Sequence, residues 1–184
     1  QKDTSCAYDA KGMQIRVCDA AMDGAFLINM PVLKGHCQTS VTCALKNAKG
    51  VIPNAEKRRF HTLGLHKPIA HLNTVVRWGF ILVDNICGDL DFEEGGNPVT
   101  MNRILGCLDP VLCDSFVCQT MGYEIREVPY IGLAERLGVG SSDLSKAKIT
   151  ALNDGVVAGQ KSTRRIAALE KYTAPDSACS ACYG

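Results

Sequence analysis

Two apolar runs restrict the folds open to this chain: GAFLINMPVLK at residues 24–34 and RWGFILVDNICG at residues 77–88. Each is too short for a capped core helix, and neither alternates strictly. Each therefore reads as a strand covered on both faces. Such strands belong in sheets packed between helices, so the expected class is α/β, with a layered mixed or mostly parallel sheet flanked by helices. MQIRVCDA (13–20), NRILGCLDP (102–110) and AKITAL (147–152) read as further strands.

The helix signals are of uneven strength. Residues 39–46 carry a short stripe of Ser40, Val41, Ala44 and Leu45, closed by Gly50 and Pro53. Residues 69–76 and 130–137 read as helical, the second ending at Gly138, while residues 56–68 are polar and rich in cations. The best-marked helix has Asp109 at the N-cap and Pro110 at the first helical position. Val111, Leu112, Phe116, Val117 and Met121 form its apolar face, and Gly122 suits the C′ position. Residues 162–172 read as a last helix with Ile166 and Leu169 inward. The expected organisation is an α/β domain over 1–157 and a C-terminal helix with a C-x-x-C segment over 158–184. The chain starts at Gln1 without a methionine, so it is expected to be part of a longer protein.

A formal net charge of +1 removes any global electrostatic argument for nucleic acid or an acidic membrane. The apolar runs also fall short of the roughly 18 residues of a membrane helix. Neither nucleic acid nor membrane is therefore an expected partner. Ten cysteines among 184 residues suggest either a disulfide scaffold or buried thiols. Cys43, Cys107, Cys113 and Cys118 occupy positions suited to small apolar residues. Buried free cysteine behaves as a small hydrophobe, and about two thirds of the cysteines are expected in the core. That usage points to a reducing compartment, the cytoplasm.

Polar residues at the ends of the apolar runs are the functional candidates. Lys34 and His36 leave the first run together; lysine can hold a phosphate or carboxylate, and histidine can move a proton or bind metal. Lys46 and Asn47 follow about ten residues later. At a helix C-terminus they would serve the dipole and an αL cap; in a crevice they would bind a ligand. Asp84 closes the second run, where α/β sheets place ligands. Asp109 is a cap and a candidate ligand-binding residue, with Asp114 one turn on. Asp84, Asp89, Asp91, Glu93 and Glu94 flank a glycine-rich loop that could hold a hard cation or simply be solvated. Lys57, Arg58 and Arg59 form a solvated face or an anion patch.

His61, His66 and His71 recur every five residues, which is not a helix-face spacing. They read as separate in role, with a zinc site including His36 as the rival. Cys179 and Cys182 form a C-x-x-C pair, suited to redox work or to half of a zinc or iron–sulfur site.

Read together, INMPVLKGHCQTSVTCALKNAKGVIP, the later GLH and IAHLN, ILVDNICG with EGGNP, and LGCLDPVLCDSFVCQTMG resemble the domain of unknown function 362 family over residues 28–152. The shared pattern is K-x-H, L-K-N-x-x-G, an aspartate ending a strand, a Gly-Pro loop and a D-P-V-x-x-D helix start. Asn85 stands where the family more often has glycine, Asn97 splits the Gly-Pro, and Cys113 replaces a small apolar residue. Some longer members resemble iron–sulfur proteins through ferredoxin-type cysteine clusters. The resemblance points to redox or cluster-linked chemistry, and with the basic and acidic candidates above the expected function is a metal- or iron–sulfur-linked enzyme acting on a small anionic substrate. Lys34, His36 and Asp84 would be catalytic, Lys46, Asn47 and Asp109 would bind ligand, and Cys179 and Cys182 would hold zinc or a cluster in the full-length protein. The alternative is a non-enzymatic iron–sulfur or redox carrier, or an interaction module, whose partner is another redox protein.

Overall fold

The computed structural model describes residues 4–24, 26–90, 93 and 98–152. It opens with an antiparallel hairpin, β1 (Ser5–Asp9) and β2 (Gln14–Cys18). Lys11 and Gly12 take positive φ in its turn, and Asp9 Oδ1 accepts from Gly12 N at 2.9 Å. Alternation sends Ile15 and Val17 into the core. The strand expected over 13–20 ends at Cys18, and α1 (Asp19–Met22) follows.

The main sheet has three strands in the order β3 (Ile28–Asn29), β6 (Phe80–Asp89) and β7 (Pro98–Cys107). β3 runs parallel to β6, and β6 with β7 makes a long antiparallel pair with an irregularity between Asn85 and Cys87. The class is α/β, but the sheet is small and mixed rather than mostly parallel, and two short hairpins stand beside it. The reason lies in the first apolar run, which is not one strand. Pro31 lacks an N–H, though its carbonyl accepts from Asp84 N at 2.9 Å. Beyond β3 the run touches β6 through the bridge of Val32 with Asp84. At Gly88 the Leu33 carbonyl comes so close that a Cβ would sit 2.5 Å from it.

Among the described residues, only one face of the sheet is covered. Ile81 and Val83 are fully buried, whereas Met30 is 65% and Ile104 62% exposed. The run is apolar on both sides, yet one side stands open.

After this crossing come a second hairpin, β4 (Lys34–His36) with β5 (Ser40–Thr42), and then α2 (Ala44–Asn47). The helix expected over 39–46 is therefore replaced by a strand and a single turn. Ser40 at φ 60° reverses the chain, and the β-branched Val41 and Thr42 suit a strand. The cation-rich segment becomes α3 (Asn54–Thr62), which buries Glu56 and Phe60. The next helix, α4 (His66–Leu72), begins and ends earlier than its expected span of 69–76. α5 (Pro110–Met121) matches its signals: Asp109 caps it, Pro110 opens it and Gly122 closes it at φ 83°. α6 (Pro129–Arg136) follows, and Gly138 has φ 75°. No strand forms at 147–152; Ile149 and Leu152 are exposed there. The helix expected over 162–172 and the pair Cys179 and Cys182 lie outside the described residues.

Leu45, Phe60, Ile69, Leu72, Ile81, Tyr130 and Ile131 form the centre of the core. Burying each large apolar side chain is worth about 1.5–3 kcal/mol. α2 is thus pinned by Leu45 below while its lysine faces the neighbouring hairpin. No helix among the described residues is long and apolar enough to cross a membrane.

Candidate functional site

The β4–β5 hairpin and α2 together build a cationic pocket. Residues two apart on a strand share a face, so Lys34 and His36 point the same way. The register sets Lys34 opposite Thr42. Lys46 stands four residues beyond Thr42, and its Nζ donates to Thr42 Oγ1 at 3.0 Å. All three basic side chains then meet one carboxylate, that of Glu93. His36 Nε2 lies 2.9 Å from Glu93 Oε2, Lys46 Nζ 3.2 Å from Oε1 and Lys34 Nζ 3.8 Å from Oε1. Lys34 Nζ also donates to the Glu93 carbonyl at 3.3 Å.

His36 has a fixed tautomer. Its Nδ1 accepts from Gln38 N at 3.1 Å and Thr39 N at 3.2 Å, so the ring proton sits on Nε2 and is donated to Glu93. The pocket is largely shielded, with His36 4% and Lys46 5% exposed. Burial pulls Lys46 down to about 8, against the opposing pull of Glu93. The His36 hydrogen bond, with Lys46 adding to it, holds Glu93 down at about 2 although burial works the other way. Among the described residues, two lysines and His36 thus face one carboxylate.

The other candidates are placed as follows. Asn47 Nδ2 donates to Asn29 Oδ1 at 2.7 Å, and Asn29 Nδ2 to the Ala44 carbonyl at 2.8 Å. Asn47 thus ties α2 to β3, next to the pocket. Asp84 lies mid-strand in β6 rather than at its end, exposed, and its Oδ1 accepts from Ile86 N at 3.0 Å. Asp109 Oδ1 caps α5 through Val111 N at 2.8 Å and Leu112 N at 3.0 Å. Neither aspartate shares a hydrogen bond or ion pair with the lysines and His36 among the described residues. Glu93 was visible only as one acid in an acidic loop; nothing local in its sequence tells that it folds back onto residues 47 to 59 positions earlier. Asp91 and Glu94 lie outside the described residues.

The histidines have separate roles. His61 Nε2 lies 3.2 Å from Lys49 Nζ, and burial with the charge of Lys49 lowers its pKa. His66 stacks on Tyr130 with centroids 5.8 Å apart, and burial lowers its pKa. His71 donates from Nδ1 to the Ala10 carbonyl at 2.7 Å. A separate cleft of about 220 Å³, lined by Lys11, Asn73, Arg77, Trp78 and Leu137 among others, lies beyond the C-terminal end of α4.

The cysteines also sort by environment. Cys43, Cys113 and Cys118 are buried, Cys18 and Cys107 partly so, and Cys6, Cys37 and Cys87 exposed, all as free thiols. Of the eight described cysteines, three are thus fully in the core. Sulfur atoms of Cys43 and Cys113 and a carboxylate oxygen of Asp114 lie within 4.8 Å of one another, close enough to hold a metal ion. Asp114 is wholly buried and accepts from Ala44 N at 2.8 Å and Leu45 N at 3.2 Å. Burial pushes its carboxyl up to about 7, even though those N–H bonds favour the anion.

Fold and site together define a small α/β domain with a cationic pocket beside a mixed sheet. Its sequence matches the family described as Domain of unknown function (DUF362) over residues 2–119, and the chain belongs to that family. It is also similar to the thylakoid-associated protein sll1697 of Synechocystis sp. (strain ATCC 27184 / PCC 6803 / Kazusa), at 25% identity over 139 residues, or 68% of this chain. The matched part is 41% of that relative's length. No solved structure matches the chain.

Proposed function

We propose that this domain binds a small anionic molecule, a carboxylate or phosphate, between Lys34, His36 and Lys46. The observation that carries this reading is the seat of Glu93. Its carboxylate takes a hydrogen bond from His36 and one from Lys46, with Lys34 paired to it by charge at 3.8 Å, as a ligand's oxyanion would. Burial makes each of those contacts stronger than it would be in water. His36 presents an N–H to the anion, and Lys34 and Lys46 supply charge. An enzymatic role, with His36 handing its Nε2 proton to a substrate oxygen, extends this reading. The C-x-x-C pair of Cys179 and Cys182 supports a zinc or iron–sulfur centre, and the free thiols among the described residues support a reducing compartment such as the cytoplasm.

Calorimetric titration with succinate and with inorganic phosphate tests the reading. Glu93 competes with any incoming anion at the high effective concentration of a tethered group. Glu93→Gln should therefore tighten binding by at least about tenfold, and Lys46→Met should abolish it. Absence of binding by folded Glu93→Gln to both anions would sink the proposal.

A further inference from the structure

Beside the start of α2, the donor atoms of Cys43, Cys113 and Asp114 converge within 4.8 Å of one another, and all three residues are buried. Cys43 directly precedes α2, whereas Cys113 and Asp114 lie near the start of α5. The thiol of Cys107, at the end of β7, hydrogen-bonds to that of Cys113. We propose that this cluster binds a borderline-soft d¹⁰ cation of the Zn²⁺ class. Cys43 and Cys113 are its thiolate ligands and Asp114 its oxygen ligand.

Spacing, donor chemistry and charge support the site. Tetrahedral zinc, with Zn–S of about 2.3 Å and Zn–O of about 2.0–2.2 Å, spaces its ligand atoms roughly 3.5–4 Å apart. The observed cluster, with all three atoms within 4.8 Å of one another, is near that spacing. Two sulfurs and one oxygen favour zinc over Mg²⁺ or Ca²⁺, which take oxygen ligands. Asp114 carries its carboxylate into the core, and no lysine, arginine or histidine among the described residues pairs with it. A carboxylate has about four lone-pair sites. The N–H groups of Ala44 and Leu45 and the side chains of Cys43 and Tyr130 donate to it, and deprotonation of Cys43 on metal binding frees one site for the cation, which would supply positive charge. On binding, each thiol, and the Asp114 carboxyl where it is protonated, releases its proton to solvent and a sulfur or oxygen lone pair bonds the metal; nothing is oxidised or reduced. The competing account, in which these thiols only fill space, predicts no metal uptake.

The site shares α2 with the anion pocket but none of its side chains, and the test separates them. The full chain carrying Cys179→Ser and Cys182→Ser, reduced and kept anaerobic, is titrated with Co²⁺ as a spectroscopic probe and then with Zn²⁺. One Co²⁺ per chain should bind with thiolate charge-transfer absorption, and Zn²⁺ should displace it. Adding Cys43→Ser or Cys113→Ser should weaken binding by at least about 100-fold, more than loss of an outer-shell partner costs. Cys118→Ser, a buried thiol on the same helix, should leave it unchanged. X-ray absorption of the Zn²⁺-loaded parent reads the site without further substitution and should show sulfur in the first shell. Absence of charge transfer from the folded parent, a first shell of nitrogen and oxygen alone, or unchanged affinity after Cys43→Ser and Cys113→Ser would each overturn the proposal.

Discussion

His36 donates from Nε2 to the Glu93 carboxylate at 2.9 Å while its own Nδ1 is held by two backbone N–H groups of the turn that follows it. The turn therefore decides which ring nitrogen faces the pocket. That link, from local backbone geometry to tautomer to ligand preference, joins the hairpin's fold to its chemistry.

The first prediction concerns Glu93 and acid. Its pKa is lowered from 4.5 to about 2, chiefly by the His36 hydrogen bond. A carboxylate with a depressed folded-state pKa stabilises the fold above its unfolded pKa, and that contribution fades as pH falls through the folded value. Glu93→Gln should cost roughly 1–3 kcal/mol at neutral pH, the scale of a hydrogen bond to a charged group. The gap between wild type and variant should close as pH drops from 4.5 towards 2. Urea unfolding across that range measures it.

Lys46 gives a prediction at the other end of the scale. Its pKa is lowered from 10.5 to about 8 because burial disfavours the ammonium. Anion binding needs that charge, and Glu93→Gln removes the carboxylate that holds the value up, so in that variant succinate affinity should already fall as pH rises towards about 8 rather than above 10. Succinate keeps its two charges there, so the change belongs to the protein. Calorimetry on Glu93→Gln at stepped pH reads it directly. A flat profile through that range means that Lys46 does not hold the anion.

How far the sequence foretold these features depends on the range of the cause. Asp109, Pro110 and Gly122 announced α5, because capping acts within a few residues. Lys34, His36 and Lys46 were found as candidates since they trail an apolar run, and strand alternation plus one helical turn brings them together. Glu93 was not singled out, because its partnership depends on the return of β6. The open sheet face was missed for another reason. An apolar run reports what a strand could bury on two sides, not whether both sides are covered.

Two isoleucines on opposite faces of the sheet test that last point. Ile81 is fully buried, whereas Ile104 is 62% exposed. Ile81→Ala should cost about 2–5 kcal/mol, through lost burial and the cavity left behind. Ile104→Ala should stay within about 0.5 kcal/mol, as surface changes do. Paired denaturation curves decide it, and a large cost at Ile104 would mean that its face is covered after all.

The α5 cap supplies a double-mutant cycle. Asp109 Oδ1 accepts from Val111 N and Leu112 N at the start of α5, and its Oδ2 accepts from Ser141 N at 2.8 Å. The carboxylate thus also ties down the segment after α6. Gly140 leaves room for it: a Cβ there would lie 1.9 Å from Asp109 Oδ1. Asp109→Ala should cost about 1–2 kcal/mol for the lost cap. Gly140→Ala should cost at least as much, since it drives the carboxylate out of place. Adding Gly140→Ala to Asp109→Ala should cost less than it does alone, because the obstructing oxygen is gone. Residues sharing one contact are coupled by about 0.5–3 kcal/mol. Chemical denaturation of the four proteins gives the coupling; additive costs would mean that Gly140 is small for some reason other than the cap.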